Sequence, residues 1–538
     1  MKKFSIFMVA IAIVSGQAFA GGHKALPSDA ADEQVLRIAT SSAGENSFIF
    51  TGLSGGGDHQ NWQSFLWVPP MYFDENKELQ PGVFNKWESN SDFTEWTFSI
   101  DSRAKFSDGT KLTAQDAKDT WEAMANPDSR NGRIVGYIGN VEGFADAREK
   151  KTDKISGIIA EGSTVRVKLN NPDPIFHWRI STAHMNIVKG SQAKSGINYW
   201  KPENNPAFSG PYVLSQYNPD QNTATFTPND NWWMDEGPYL EKITFQFVND
   251  GDTLAAMFQN EQIDLSMQQP SPILKKIMPD VFEPAPRIGF NSFWFNVSAA
   301  PTDDPMVRKA LVLAIDPKEI YKAAFPKSQF ESVMPRQFMD PNLQCYDESI
   351  VYYDFDPEAA KAALKASSYG GPENLPKLRV TPRATWPPLK RGMEYAMEQW
   401  RTVLGIQNVE FKDKPQNFGG DSGKVNVSRD DVAARFPDPA VYVFKGTHST
   451  GPIASGEMMR AYKNEKIDML LDEAMMVEPS NPKRCALAHE AQRLFLNDWP
   501  MIILGKPLES INRRGYVKNV YSGPDIARHA PWKIYIAK

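Results

Sequence analysis

The stretch Leu79–Glu122, LQPGVFNKWESNSDFTEWTFSIDSRAKFSDGTKLTAQDAKDTWE, decides how this chain is read. Within it, Glu95-Trp96-Thr97-Phe98-Ser99-Ile100 alternates polar and apolar residues with a period of two, which predicts a strand buried on one face. Ser107-Asp108-Gly109-Thr110 supplies a turn in which Gly109 is free to adopt a positive φ. Thr113 stands where an N-cap is needed, and Asp116 completes a capping box with Asp in the place usually held by Glu, so a helix is expected from Ala114. Strand, tight turn and capped helix follow one another in fixed order.

Outward from this stretch, 538 residues with 41% hydrophobic content describe a globular chain too long for a single core, so two or three domains are expected. The start, Met1-Lys2-Lys3, an apolar run from Phe4 to Val14 and Ala18-Phe19-Ala20 before Gly21, reads as a secretory signal peptide over residues 1–20, cleaved between Ala20 and Gly21. The apolar run falls short of the about 20 residues that a membrane span needs. With no Cys after the cleavage point, no lipid anchor is expected, and the mature protein should be free in a Gram-negative periplasm. Loss of Lys2 and Lys3 takes the formal charge from -6 to -8, an acidic balance that favours solubility and disfavours nucleic acid. Cys345 and Cys485 are left either to pair in an oxidising compartment or to stay apart as two buried thiols.

Further strands are expected at Val35–Thr40, Ser163–Leu169, Tyr212–Tyr217, Thr223–Thr227, Ile288–Asn296, Leu378–Val380 and Val409–Phe411, and residues 131–154 read as a polar surface loop and helix. Asp304 as N-cap with Pro305 at the first helical position opens a helix whose Val307, Leu311, Ala314 and Ile315 share a face. The strand, helix, strand rhythm from Leu378 to Phe411 indicates an α/β unit. Gly52-Leu53-Ser54-Gly55-Gly56 matches the nucleophile elbow of hydrolases formally, but three glycines follow Ser54 where that motif needs a helix. The seven histidines lack metal-ligand spacing, and Walker and Rossmann fingerprints are missing, so no cofactor is expected.

Pro81-Gly82, Trp87, Ser91-Asp92, Trp96-Thr97-Phe98, Lys105-Phe106, Asp108-Gly109 and Leu112-Thr113-Ala114-Gln115-Asp116 together resemble the signature of family 5 extracytoplasmic solute-binding proteins. Phe93 and Ala104 depart from it, each standing where Gly is usual. The resemblance extends through Asn205–Tyr212, Asn229–Trp233, Gly237–Ile243, Asp252–Asp264 and Phe295–Lys318 to Asp438-Pro439. It implies an α/β, two-lobe periplasmic-binding-protein fold of type II with an additional inserted subdomain in lobe I. The expected division is 35–63 with 205–285 and 508–538 as the lobe I core, 64–204 as the inserted subdomain, and 286–507 as lobe II.

It also implies a monomeric receptor that is not an enzyme. Such a receptor holds a peptide, oligosaccharide or opine-like solute between its lobes and hands it to an ABC permease and its ATPases. Trp386 and Arg435 are the first candidates for ligand contact, each lying just past a strand, where open α/β sheets bind ligands. Arg383, Thr385, Phe436, Trp294, Asp58 and Trp62 complete the candidate set. Peptide receptors of the family usually carry Asp at the position of Arg435, where it pairs with the ligand's ammonium group. A guidanidinium there suits a carboxylate, phosphate or sugar hydroxyl instead.

Overall fold

The computed structural model describes residues 25–538 apart from 41–58, 75, 77, 130, 133, 196–200, 249, 267–271, 286–287, 326–335, 382–386, 412–424, 434–436, 452–461, 506–508 and 522–529. In the deciding stretch, Glu95–Ile100 is a strand with Trp96, Phe98 and Ile100 buried and the alternate residues half-buried. Gly109 takes φ +82°, and Phe93 holds φ +56° where the family pattern has Gly. The helix Ala114–Ala125 is capped reciprocally: Thr113 Oγ1 accepts from Asp116 N at 3.2 Å, and Asp116 Oδ2 accepts from Thr113 N at 2.8 Å.

Three main sheets carry the chain. The first has seven strands, in the order Phe282–Ala285, Glu509–Arg513, Leu265–Ser266, Val35–Thr40, Lys242–Phe247, Thr223–Pro228 and Tyr212–Asn218. Its middle strand, Val35–Thr40, runs parallel to both neighbours, while the outer pairings are antiparallel. A second sheet of five strands runs Val409–Phe411, Leu378–Thr381, Val427–Ala433, Gly289–Phe295 and Met501–Gly505. The expected parallel pair is there, with Leu378 opposite Val409 and the helix Pro387–Leu404 between them in sequence. The third sheet is an antiparallel set of four: Phe84–Ser89, Glu95–Ile100, Thr164–Lys168 and Ile158–Glu161.

One apolar core is shared by the seven- and four-stranded sheets, and a second surrounds the five-stranded sheet. In the first core, Phe65 packs its ring against Tyr212, Phe226 and Phe245. Residues 131–154 depart from the expected surface segment. Ile134, Tyr137, Ile138, Val141, Phe144 and Ala147 are all buried in that same core, because two short helices, Val135–Ile138 and Phe144–Arg148, turn these scattered apolar residues inward.

A polar cluster ties the start of the strand Leu265–Ser266 to Val35–Thr40 and to the turn after Glu509–Arg513. Asp264 accepts from Arg37 Nε at 3.0 Å and from the Tyr516 hydroxyl at 2.8 Å. Burial, reinforced by Asp264, pushes the Tyr516 hydroxyl up to about 12. Cys345 and Cys485 are joined as a disulfide with their Cα atoms 6.2 Å apart, which selects pairing from the two alternatives left open by the sequence. Among the described residues no helix is long and apolar enough to cross a membrane.

Candidate functional site

The strand registers determine where the two larger sheets meet. In the first sheet Thr40, Phe247 and Ser266 end their parallel strands on one edge, and Ala285 pairs with Glu509 on that same edge. In the second, Ala433 and Gly505 end strands on the edge where Gly289 begins one, while Thr381 and Phe411 end theirs in the same direction but short of it, Thr381 being level with Ser428 and Trp294. The chain passes between these edges twice, from Ala285 to Gly289 and from Gly505 to Glu509. Four residues span at most about 14 Å, so both crossings hold the strand ends of the two sheets close together. Open α/β sheets bind ligands outside such strand ends.

Polar side chains collect at these ends. Thr40 and Ser266, with Asn512 opposite Ser266, on one sheet, and Asn291, opposite Gly505, on the other, are all buried. Some satisfy each other: Asn512 Nδ2 donates to Ser266 Oγ at 2.9 Å. Thr40 Oγ1 is buried with no hydrogen-bond partner among the described residues. Strands selected only for packing would carry apolar residues here, since an unbonded buried hydroxyl costs free energy.

Two devices hold the segments next to this edge. Gly289, at the first crossing, has φ +137°, and a Cβ there would stand 2.1 Å from the Val432 carbonyl oxygen, so only glycine fits. Its N–H donates to Asp340 Oδ2 at 2.7 Å. The second device is Asp438, N-cap of the helix Pro439–Thr447, which accepts from Val441 N at 2.7 Å and receives the fully buried Arg484 through Nε at 2.7 Å.

Most of the candidate contact residues fall outside the described residues. Arg383, Thr385 and Trp386 lie in 382–386, Arg435 and Phe436 in 434–436, and Asp58 in 41–58, all outside the described residues. Ser54, the elbow serine, and the cleavage pair Ala20 and Gly21 are likewise outside them. Trp62 sits in the helix His59–Leu66, with its side chain outside the described set.

Trp294 is described, and it corrects the expectation. Its ring is fully buried against Phe338 and Phe495 with Nε1 on Ser292 Oγ at 2.6 Å, because at this strand position the side chain points into the second core. Sequence reasoning missed Gly289, Asp340 and Arg484. Their roles come from partners 51 residues away for the first two and 46 away for the third, and local pattern carries no trace of such pairings.

Two α/β units joined by paired crossings at their strand ends, with a third sheet inserted in the first unit, define a two-lobe solute-binding protein of type II. Comparison with known proteins agrees. The family model for bacterial extracellular solute-binding proteins, family 5 (middle), matches residues 78–452, well over half of the chain. The periplasmic murein peptide-binding protein MppA of Escherichia coli (strain K12) is 25% identical over 448 residues, 80% of each chain. The dipeptide-binding protein DppE of Bacillus subtilis (strain 168) is 24% identical over 80% of this chain and 79% of its own. The solved unliganded open form of MppA superposes with a TM-score of 0.75 at 21% identity, covering 95% of this chain and 99% of that one. The chain belongs to the family 5 bacterial extracellular solute-binding proteins.

Proposed function

We propose that this protein captures a peptide or peptide-like solute between its two lobes in the periplasm and delivers it, chemically unchanged, to an inner-membrane ABC permease and its ATPases. Residues 1–20 direct export through the Sec pathway and are removed, and the mature chain acts as a monomer without catalysis. Its lobe I core comprises 35–63, 205–285 and 508–538, its inserted subdomain 64–204, and its lobe II 286–507. The observation that carries the reading is the double crossing at Ala285–Gly289 and Gly505–Glu509, which lets two rigid sheets hinge about their ligand-binding edges. The names of its relatives, murein peptide-binding and dipeptide-binding, support peptide as the solute class.

Closure follows only if the solute binds the closed form better than the open one. A thermal-shift screen of the mature protein tests this, because a ligand that binds only the folded state raises the melting temperature. Di- to pentapeptides should shift the transition, with oligosaccharides and opines as comparison arms. A shift with the sugars alone would replace peptide by a sugar conjugate. Labelling by a fluorophosphonate that Ser54→Ala abolishes would replace the receptor by a hydrolase.

A further inference from the structure

Two buried carboxamides in the first lobe are not used by the fold. Gln63 is 1% exposed and Asn186 2%. Neither the nitrogen nor the oxygen of either side chain has a hydrogen-bond partner among the described residues. They lie on elements in contact: the helix His59–Leu66 packs against the single turn Ala183–Met185, which Asn186 closes.

Both elements are held in place by other groups. Trp121 Nε1 donates to Met185 O at 3.3 Å, and Thr120 Oγ1 donates to Val188 O at 3.0 Å. On the helix side, Gly210 N donates to Leu66 O at 2.8 Å and Phe65 is packed among aromatic rings. The carboxamides are therefore fixed in position while their own hydrogen-bonding capacity is unspent. Met or Leu would fill comparable volume without desolvating four polar atoms.

We propose that Gln63 and Asn186 form a subsite between the helix His59–Leu66 and the turn Ala183–Met185 that binds a neutral secondary amide of the solute. Each carboxamide offers both a donor and an acceptor, which is the complement of a planar CO–NH group. Neither His59–Leu66 nor Ala183–Asn186 contains Lys, Arg, Asp or Glu, so apart from His59 and His184 the two elements bring no titratable group to the subsite. A peptide backbone and an N-acyl amino sugar both supply this group. The inference rests on the receptor reading above and adds a specificity element to it.

The test uses the mature protein with Gln63→Met and Asn186→Leu. Two probes are titrated by thermal shift, a pool of di- to pentapeptides and chitotriose, and the unliganded melting temperature is recorded for each variant. The expected result is an unliganded melting temperature equal to or above that of the wild type, with the midpoint concentration of the active probe raised at least about tenfold. The probe that responds identifies the source of the amide. A midpoint within twofold of the wild type overturns the subsite, and so does a loss of affinity that comes with a lowered melting temperature, since the amides would then serve the fold. Should Asn186→Leu fail to fold, Gln63→Met alone decides. If the wild type binds neither probe, a solute bearing a secondary amide is overturned and the subsite with it, while the receptor reading is decided separately by the oligosaccharide and opine arms.

Discussion

Arg484 and Asp438, 46 residues apart in sequence, form a fully buried two-pronged ion pair, with Nε and Nη2 of the guanidinium at 2.7 and 3.0 Å from the two carboxylate oxygens. The remaining guanidinium nitrogen, Nη1, donates to the carbonyls of Ala474 and Val477. The pair anchors the helix Pro439–Thr447 to the helix Pro482–Asn497, and Lys445 of the first helix donates to the Ala433 carbonyl at 3.0 Å.

Removing one partner leaves a charge buried without compensation. Arg484→Ala should cost about 3–5 kcal/mol of folding stability, read as a shift of the urea midpoint at constant slope. Arg484→Lys keeps the charge but cannot present the planar fork, so most of the loss should remain. Recovery of wild-type stability by Lys would show that charge alone, without geometry, holds this junction.

At the crossing, Gly289→Ala should destabilise by about 1–3 kcal/mol through backbone strain, with a further loss from the 2.1 Å approach of the new Cβ to the Val432 carbonyl. Because Gly289 also donates to Asp340, solute affinity should fall along with stability. An alanine variant with unchanged denaturation and unchanged affinity would mean that this crossing tolerates movement freely.

How much of this could be read from residues alone depends on the range of the interaction. Glu95–Ile100, Gly109 and the Thr113–Asp116 box were legible because strand alternation, turn chemistry and capping act within a few residues. Phe93 was flagged as a departure from Gly, and its positive φ shows that the chain keeps the turn and bears the side chain. Residues 131–154 were misread because their apolar residues are too sparse for a clear period, and packing rather than pattern buries them. Trp294 shows the limit for the site: an aromatic residue at a strand can face the core or the cleft, and only the register decides. The Arg484–Asp438 pair was out of reach because two distant segments create it.

The Cys345–Cys485 disulfide closes a sequence separation of 140 residues and ties the loop bearing Asp340 to the helix bearing Arg484. Loop-closure entropy sets a ceiling of about 5 kcal/mol for a link of this length, with about 2–4 kcal/mol typical. Dithiothreitol and the Cys345→Ala, Cys485→Ala double variant should lower the urea midpoint equally. An unaffected midpoint after verified reduction would show that packing around His489, whose Nε2 lies 2.7 Å from the Cys345 carbonyl oxygen, already holds the loop.

His177 makes the acid limb of stability testable. Its ring stacks on Trp96 with centroids 4.6 Å apart, and its Nδ1 is buried without a hydrogen-bond partner among the described residues. Burial holds the imidazole down to about 3, from an ordinary value of 6.5. Between these two values the unfolded chain binds a proton that the folded chain refuses, so the stability from the neutral ring is complete above pH 6.5 and is lost as pH falls toward 3. The loss approaches about 1.4 kcal/mol per pH unit within that window. His177→Gln removes this proton while leaving the neighbouring Asp173–Arg179 pair in place. Relative to pH 7, the wild type at pH 4 should therefore lose about 2–3 kcal/mol more than the variant, by urea unfolding at the two pH values. Parallel acid limbs in the two proteins would mean that the ring is protonated in the folded state and that the Trp96 stack accommodates the charge.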